Sequence, residues 1–155
     1  MTKLSLYEVE DVTDVIEISF DGAAISNPGL AGGGIYINEG NGKEIRRSLP
    51  FGVLTSNHEA EFAACVAAMH YALEMGYRTV SFRTDSQLVN EAIEKRHVKN
   101  EQFIPYLNEA LPLVDRFDLF FCKWIPDKQN KNADALARLA IQKQMRAKQK
   151  KEADS

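Results

Sequence analysis

The chain is 155 residues long, 45% apolar and 26% charged, with a net charge of -3. That length suits one domain with a real core, and the balance is ordinary for a soluble globular protein. The net charge gives no overall pull toward nucleic acid, but it is unevenly spread: Glu8, Glu10, Asp11, Asp14 and Glu17 make the start acidic, and Lys143, Arg146, Lys148, Lys150 and Lys151 make the end basic. No apolar run is long enough to span a membrane, and the first residues lack the basic-then-apolar order of a signal peptide. Cys65 and Cys122 each sit in an apolar run and read as buried thiols, which suits a reducing compartment. The expected location is the cytoplasm.

Residues 1–13 are polar and weakly patterned, an extension or extra length on the first strand. In Ile16–Ile37 the chain first reads as a strand, with Ile16, Ile18 and Phe20 alternating with Glu17, Ser19 and Asp21. The strand is expected to break at Asp21-Gly22. Ser26-Asn27-Pro28-Gly29 then favours a turn, Gly32, Gly33 and Gly34 follow, and a second strand is expected from Ile35. A carboxylate at a strand end thus stands beside a loop whose backbone can approach a ligand closely. Asn41-Gly42 signals a tight hairpin into a third strand near Lys43–Phe51.

Ser56, with Glu59 three residues on, has the form of a capping box. The helix it opens is apolar on nearly all sides to Gly76, so it is the buried central helix. A strand at Thr79–Thr84, a helix at Ser86–Lys95, a polar joint at Arg96–Asn100 and a helix at Gln102–Phe117 follow. A strand at Leu119–Trp124 and a last helix, capped by Asn130 or Asn132, complete the order. Residues 1–145 form one domain on this reading, and the basic tail 146–155 frays. Helix-linked strands added to a meander give an α/β fold, a mixed five-stranded sheet with helices on its faces.

Four acids stand at element ends. Taken singly, Asp21 fits a turn, Glu61 and Asp134 fit helix starts favoured by the helix dipole, and Asp85 fits an N-cap. Taken together, they fall where open sheets with parallel strands place their ligands. Four converging acids repel one another, which suits hard divalent cations with oxygen ligands and hydrolysis of a phosphodiester.

In these residues the sequence resembles the type 1 ribonuclease H family, and more closely its reverse-transcriptase-like branch. The matching segments are Asp21–Gly29 with Gly32–Gly34, Ser56–Phe62, Thr84–Val89 and Trp124–Ala137, in order over most of residues 15–140. The resemblance implies a ribonuclease H-like fold with strand order 3-2-1-4-5, the first three strands antiparallel. It implies Asp21, Glu61, Asp85 and Asp134 as catalytic, metal-binding residues for Mg²⁺ or Mn²⁺, with two ions when substrate is bound. It also implies cleavage of the RNA strand of an RNA–DNA hybrid, leaving a 5′-phosphate and a 3′-hydroxyl. Gly22, Ser26, Asn27, Ser56, Asn57 and Gln87 are the expected nucleic-acid contacts, since RNA is told from DNA at the 2′-hydroxyl. Two departures stand out. Asp127 and Lys128 occupy the loop where many members carry His or Arg, which leaves Lys128 as the candidate loop helper, and the basic joint at Glu94–Glu101 is short. His58 reads as a surface residue near the site rather than a metal ligand, since Mg²⁺ prefers oxygen, and His70 as an ordinary polar position on its helix. The alternative reading is a nucleic-acid-binding module of the same fold with weak or no catalysis; no obligate protein partner is expected.

Overall fold

The computed structural model describes residues 15–155, so the acidic run from Glu8 to Asp14 and the reading of residues 1–13 lie outside the described residues. Strands β1 (Ile16–Ala24), β2 (Gly29–Gly40) and β3 (Lys43–Leu54) form an antiparallel meander. Helix α1 (Asn57–Glu74), strand β4 (Thr79–Thr84) and helix α2 (Gln87–Lys95) follow. A 3-10 turn at Glu101–Phe103 leads into α3 (Ile104–Val114), and β5 (Leu119–Trp124) and α4 (Lys131–Ala153) end the chain. The sheet order is β3-β2-β1-β4-β5, with β4 parallel to both β1 and β5.

The core lies between one sheet face and α1 to α3, where Ile18, Phe20, Phe62, Met69, Val80, Phe82 and Val89 are buried. Its alanines let α1 sit close to the sheet, and the stacked pair Phe62–Phe103, with ring centroids 4.8 Å apart, ties the 3-10 turn to it. The opposite face is covered by α4 through Ala133, Ala137, Ala140 and Ile141. The capping signal at Ser56 is present in altered form. Ser56 Oγ accepts from Glu59 N at 3.1 Å, whereas the Glu59 carboxylate reaches Thr55 N at 2.7 Å and Thr55 Oγ1 at 2.8 Å.

The structure moves several boundaries read from sequence. β1 does not break at Asp21-Gly22 but runs to Ala24, because Gly22, Ala23 and Ala24 stay paired with Gly33, Gly32 and Ala31. The second strand begins at Gly29 rather than Ile35, so all three central glycines are strand residues. Their lack of side chains serves packing: a Cβ on Gly34 would collide with the Ala133 carbonyl and press on Leu136, and one on Gly32 would press on Ala140. The helix expected at Gln102–Phe117 is shorter, beginning after a 3-10 turn and ending just past Pro112. The tail does not fray near residue 145: α4 continues to Ala153, since Gln, Met, Arg, Ala and Lys are strong helix formers. Cys65 is buried, and Cys122 only partly so.

Gly34→Ala is expected to lower stability by about 1–3 kcal/mol, the usual cost of forcing a methyl into a packed interface. Urea denaturation of the variant beside the parent checks this.

Candidate active site

The parallel ladder between β1 and β4 ends at Ser19 opposite Arg83, while β1 stays paired with β2 as far as Ala24. The two strands therefore part beyond Ser19, and Asp21 lies at the parting. β4 ends at Thr84, which delivers Asp85 to the same place. Glu61 arrives from the first turns of α1. Its approach depends on Gly22, where a Cβ would strike the Ala60 carbonyl and the Glu61 nitrogen. One carboxylate oxygen from each of Asp21, Glu61 and Asp85 lies within 4.8 Å of the others.

Asp134, in the first turn of α4, comes from the other face of the sheet. It adds a negative charge beside Asp21 and accepts a hydrogen bond from the protonated form of that residue. Asp134 is not within the trio; its Oδ2 is held by Arg138 Nε at 3.0 Å, one helical turn away.

The crowding shows in the acidities. Burial, then the Asp85 charge, then Asp134, raise the Asp21 carboxyl far above the ordinary carboxylate range. Burial raises Glu61 too, opposed by a hydrogen bond from His58, whose Nδ1 lies 3.0 Å from Glu61 Oε1. Burial raises Asp85, opposed by a hydrogen bond from Asn130. Asn130 is 1% exposed, and its Nδ2 donates to the carbonyl of Phe20 at 3.0 Å. This one side chain thus links the start of α4 to the residue preceding Asp21 and to Asp85. Its Oδ1 is buried with no partner among the described residues. An all-oxygen donor set that repels itself, beside a buried unpaired oxygen, fits a hard divalent cation such as Mg²⁺ or Mn²⁺.

The residues expected to meet nucleic acid are placed as follows. Asn57 Oδ1 accepts from Ala24 N at 3.1 Å, which pins the turn after β1 to the start of α1. Ser26 and Asn27 are exposed on that turn, and Ser26 Oγ donates to Pro28 O at 2.7 Å. Ser56 caps α1, and Gly22 is buried against Ala60. Gln87 is exposed at the start of α2, two residues from Asp85. Lys128 lies on the 3-10 turn Asp127–Gln129 and lines a shallow cavity with Asp85, Asp127, Lys131, Asp134 and Arg138.

Three contributors escaped the reading of the sequence. Asn130 was seen only as a cap, yet its side chain makes no cap bond. Arg138 was passed over, although its place four residues after Asp134 on a helix was a usable signal. His58 was read as a surface residue near the site, and it is bonded to Glu61.

Known proteins resemble this chain in sequence and in fold. A family described as "Reverse transcriptase-like" matches residues 19–140. The chain is 41% identical over 132 residues to "Putative hydrolase EbsB" of Enterococcus faecalis, covering 83% of this chain and 96% of that protein. It is 31% identical over 123 residues to "Ribonuclease HI" of Halobacterium salinarum, covering 79% of this chain and 62% of that protein, so it spans less than two thirds of that relative. Among solved structures, RNase H1 from Halobacterium salinarum superposes with a TM-score of 0.77 at 30% identity, covering 83% of this chain and 98% of the other. LC11-RNase H1 in complex with RNA/DNA hybrid superposes with a TM-score of 0.76 at 27% identity, covering 84% and 99%.

Three outcomes follow from the site's electrostatics and hydrogen bonds. A carboxyl whose folded pKa is raised favours folding fully below its unfolded pKa, 3.8 for Asp21, and that contribution is lost as pH rises toward the folded value. The cation-free parent is therefore expected to lose stability relative to Asp21→Asn as pH rises above about 4. Asp21→Asn should stabilise that cation-free protein near neutral pH by about 1–2 kcal/mol, roughly 2–8 °C in melting temperature. Asn130→Ala should destabilise by about 1–3 kcal/mol because it strips the Phe20 carbonyl of a buried donor. Thermal melts in chelator at several pH values read all three.

Proposed function

We propose that this chain, which belongs to the reverse-transcriptase-like branch of the type 1 ribonuclease H family, is a divalent-metal-dependent endonuclease that cleaves the RNA strand of RNA–DNA hybrids. The observation that carries the reading is the meeting of Asp21, Glu61 and Asp85 within 4.8 Å at the parting of β1 and β4. Its relatives named ribonuclease H favour this over a non-catalytic module of the same fold.

In this reading Asp21, Glu61, Asp85 and Asp134 hold Mg²⁺ or Mn²⁺, two ions when substrate is present. Bound there, the cation neutralises phosphate charge and makes water a better nucleophile at neutral pH. The remaining work belongs to the chain's own side chains. His58 orients the Glu61 carboxylate, and Asn130 fixes the backbone before Asp21. Asn57 holds the β1–β2 turn beside the carboxylates, so that Ser26, Asn27 and the Gly22 backbone meet the 2′-hydroxyls that mark RNA. The Ser26 hydroxyl already donates to Pro28 O, which leaves its oxygen free to accept from a 2′-hydroxyl. Ser56 and Gln87 flank the carboxylates at two helix starts. Lys128, on the rim with Asp127, meets the phosphate and stands as the loop helper. The products carry a 5′-phosphate and a 3′-hydroxyl. Two thiols without disulfide partners suit a reducing cytoplasm.

Purified protein should cut the RNA strand of a labelled hybrid in Mg²⁺ or Mn²⁺ and leave duplex DNA intact. Asp21→Asn or Asp85→Asn should lower the rate by roughly three orders of magnitude, equivalent to about 4 kcal/mol of transition-state stabilisation. Because a proton competes with the cation for Asp21, the rate should climb as pH rises through neutrality. A parent protein as inert as Asp21→Asn in both metals would overturn the reading.

A further inference from the structure

Helix α4 has two parts. From Ala133 to Gln144 it lies on the sheet. Ala133 and Ala137 press on Gly34, Ala137 and Ala140 press on Gly32, and Gln144 joins Ala31 O at 2.8 Å and Gly52 N at 2.9 Å. That path runs toward the sheet end where β1 finishes, β2 begins and β3 finishes, the end that carries the Ile25–Pro28 turn. Past Gln144 the helix leaves the sheet and continues to Ala153, about 13 Å at 1.5 Å per residue.

The overhang is charged in a directed way. It holds Arg146, Lys148, Lys150 and Lys151 against a single acid, Glu152, in a chain whose net charge is -3. Lys148 and Lys151 stand four and seven residues after Gln144, so they continue the sheet-facing stripe of Ala133, Ala137, Ala140, Ile141 and Gln144. Past Gln144, that stripe continues in the direction of the sheet end that carries the Ile25–Pro28 turn. Both lysines are exposed. Arg146 and Lys150 point the other way, to bulk solvent.

We propose that the overhang of α4 is a cationic arm that takes the phosphate backbone of the nucleic-acid duplex beyond the cut site, with Lys148 and Lys151 as the contacts. The proposal rests on the hybrid-cleaving reading for the identity of the duplex. The phosphate backbone is the partner whose regular negative charge matches two cations spaced one turn apart on a rigid helix. Contacts of this kind set affinity and its salt dependence and carry no sequence preference.

The test compares two variants with equal loss of charge: Lys148→Gln/Lys151→Gln on the sheet-facing stripe, and Arg146→Gln/Lys150→Gln on the outward face. Each is made in the Asp21→Asn background, and binding to a labelled RNA–DNA hybrid is followed by anisotropy over a range of salt. Circular dichroism confirms that the helix is kept. The stripe pair should flatten the slope of log K against log salt by about 2 and weaken binding roughly tenfold near physiological salt. The outward pair should change the slope by less than half as much. With Asp21 restored, the stripe pair should raise KM and leave kcat unchanged. Equal slopes for the stripe pair and its parent, or equal effects from both pairs, overturn the arm. Arm-dependent retention on phosphatidylglycerol vesicles with an unchanged hybrid slope overturns it in favour of a membrane surface. The two readings fail separately: an inert parent with a flattened slope removes the enzyme and keeps the arm, and an active parent with an unchanged slope does the reverse.

Discussion

Glu61 reaches Asp21 because α1 can lay its first turns directly on β1, and the missing side chain at Gly22 is what lets it do so. The same device acts on the opposite face, where Gly32 and Gly34 let α4 sink onto β2 and bring Asp134 toward the same point. Glycine weakens a strand when it only loses entropy there. Here the loss is offset by two helices seated at close range on either side of one strand pair. The carboxylates are thus delivered by backbone packing rather than by flexible loops, which is how a site is held to tight tolerances.

That delivery carries an electrostatic cost. Buried carboxylates crowded together resist ionisation, and the fold counters this with single polar contacts: His58 on Glu61, Asn130 near Asp85 and Arg138 on Asp134. Each contact lies at the rim or at an element start, so the interior of the group is left to oxygen atoms alone. The arrangement stays unfavourable without a cation and becomes favourable with one, and stability and ligand binding are coupled through it.

Much of this was legible in the residues. The mixed five-stranded sheet and the buried central helix followed from alternation, turn signals and the apolar run after Ser56, the strand order came with the family resemblance, and the four acids were marked as candidates by their places at element ends. What was not legible has physical reasons. The glycines that read as a loop are strand residues because tertiary packing, not local propensity, decides their state. The basic tail that read as unpacked is helical as the continuation of the packed part of α4 through strong helix formers. Asn130 could be recognised as a helix-start residue, but the Phe20 carbonyl it bonds is 110 positions away, and no local pattern records such a partner. The gathering of Asp134 was legible only in part, since its carboxylate is shared with Arg138 and stands outside the closest trio.

The order in which the chain supplies the carboxylates has a kinetic meaning. Asp21, Glu61 and Asp85 come from β1, α1 and the end of β4, and Asp134 from the last helix, so nearly the whole chain must be in register before the group exists. A chain emerging from synthesis with α4 still missing has no element to cover Gly32 and Gly34. Local segments form early and long-range packing late, so Asp134 comes beside the trio only once α4 has docked. On the proposed metal-site reading, a cation held by all four carboxylates would report completed topology, whereas one held by the trio alone would not.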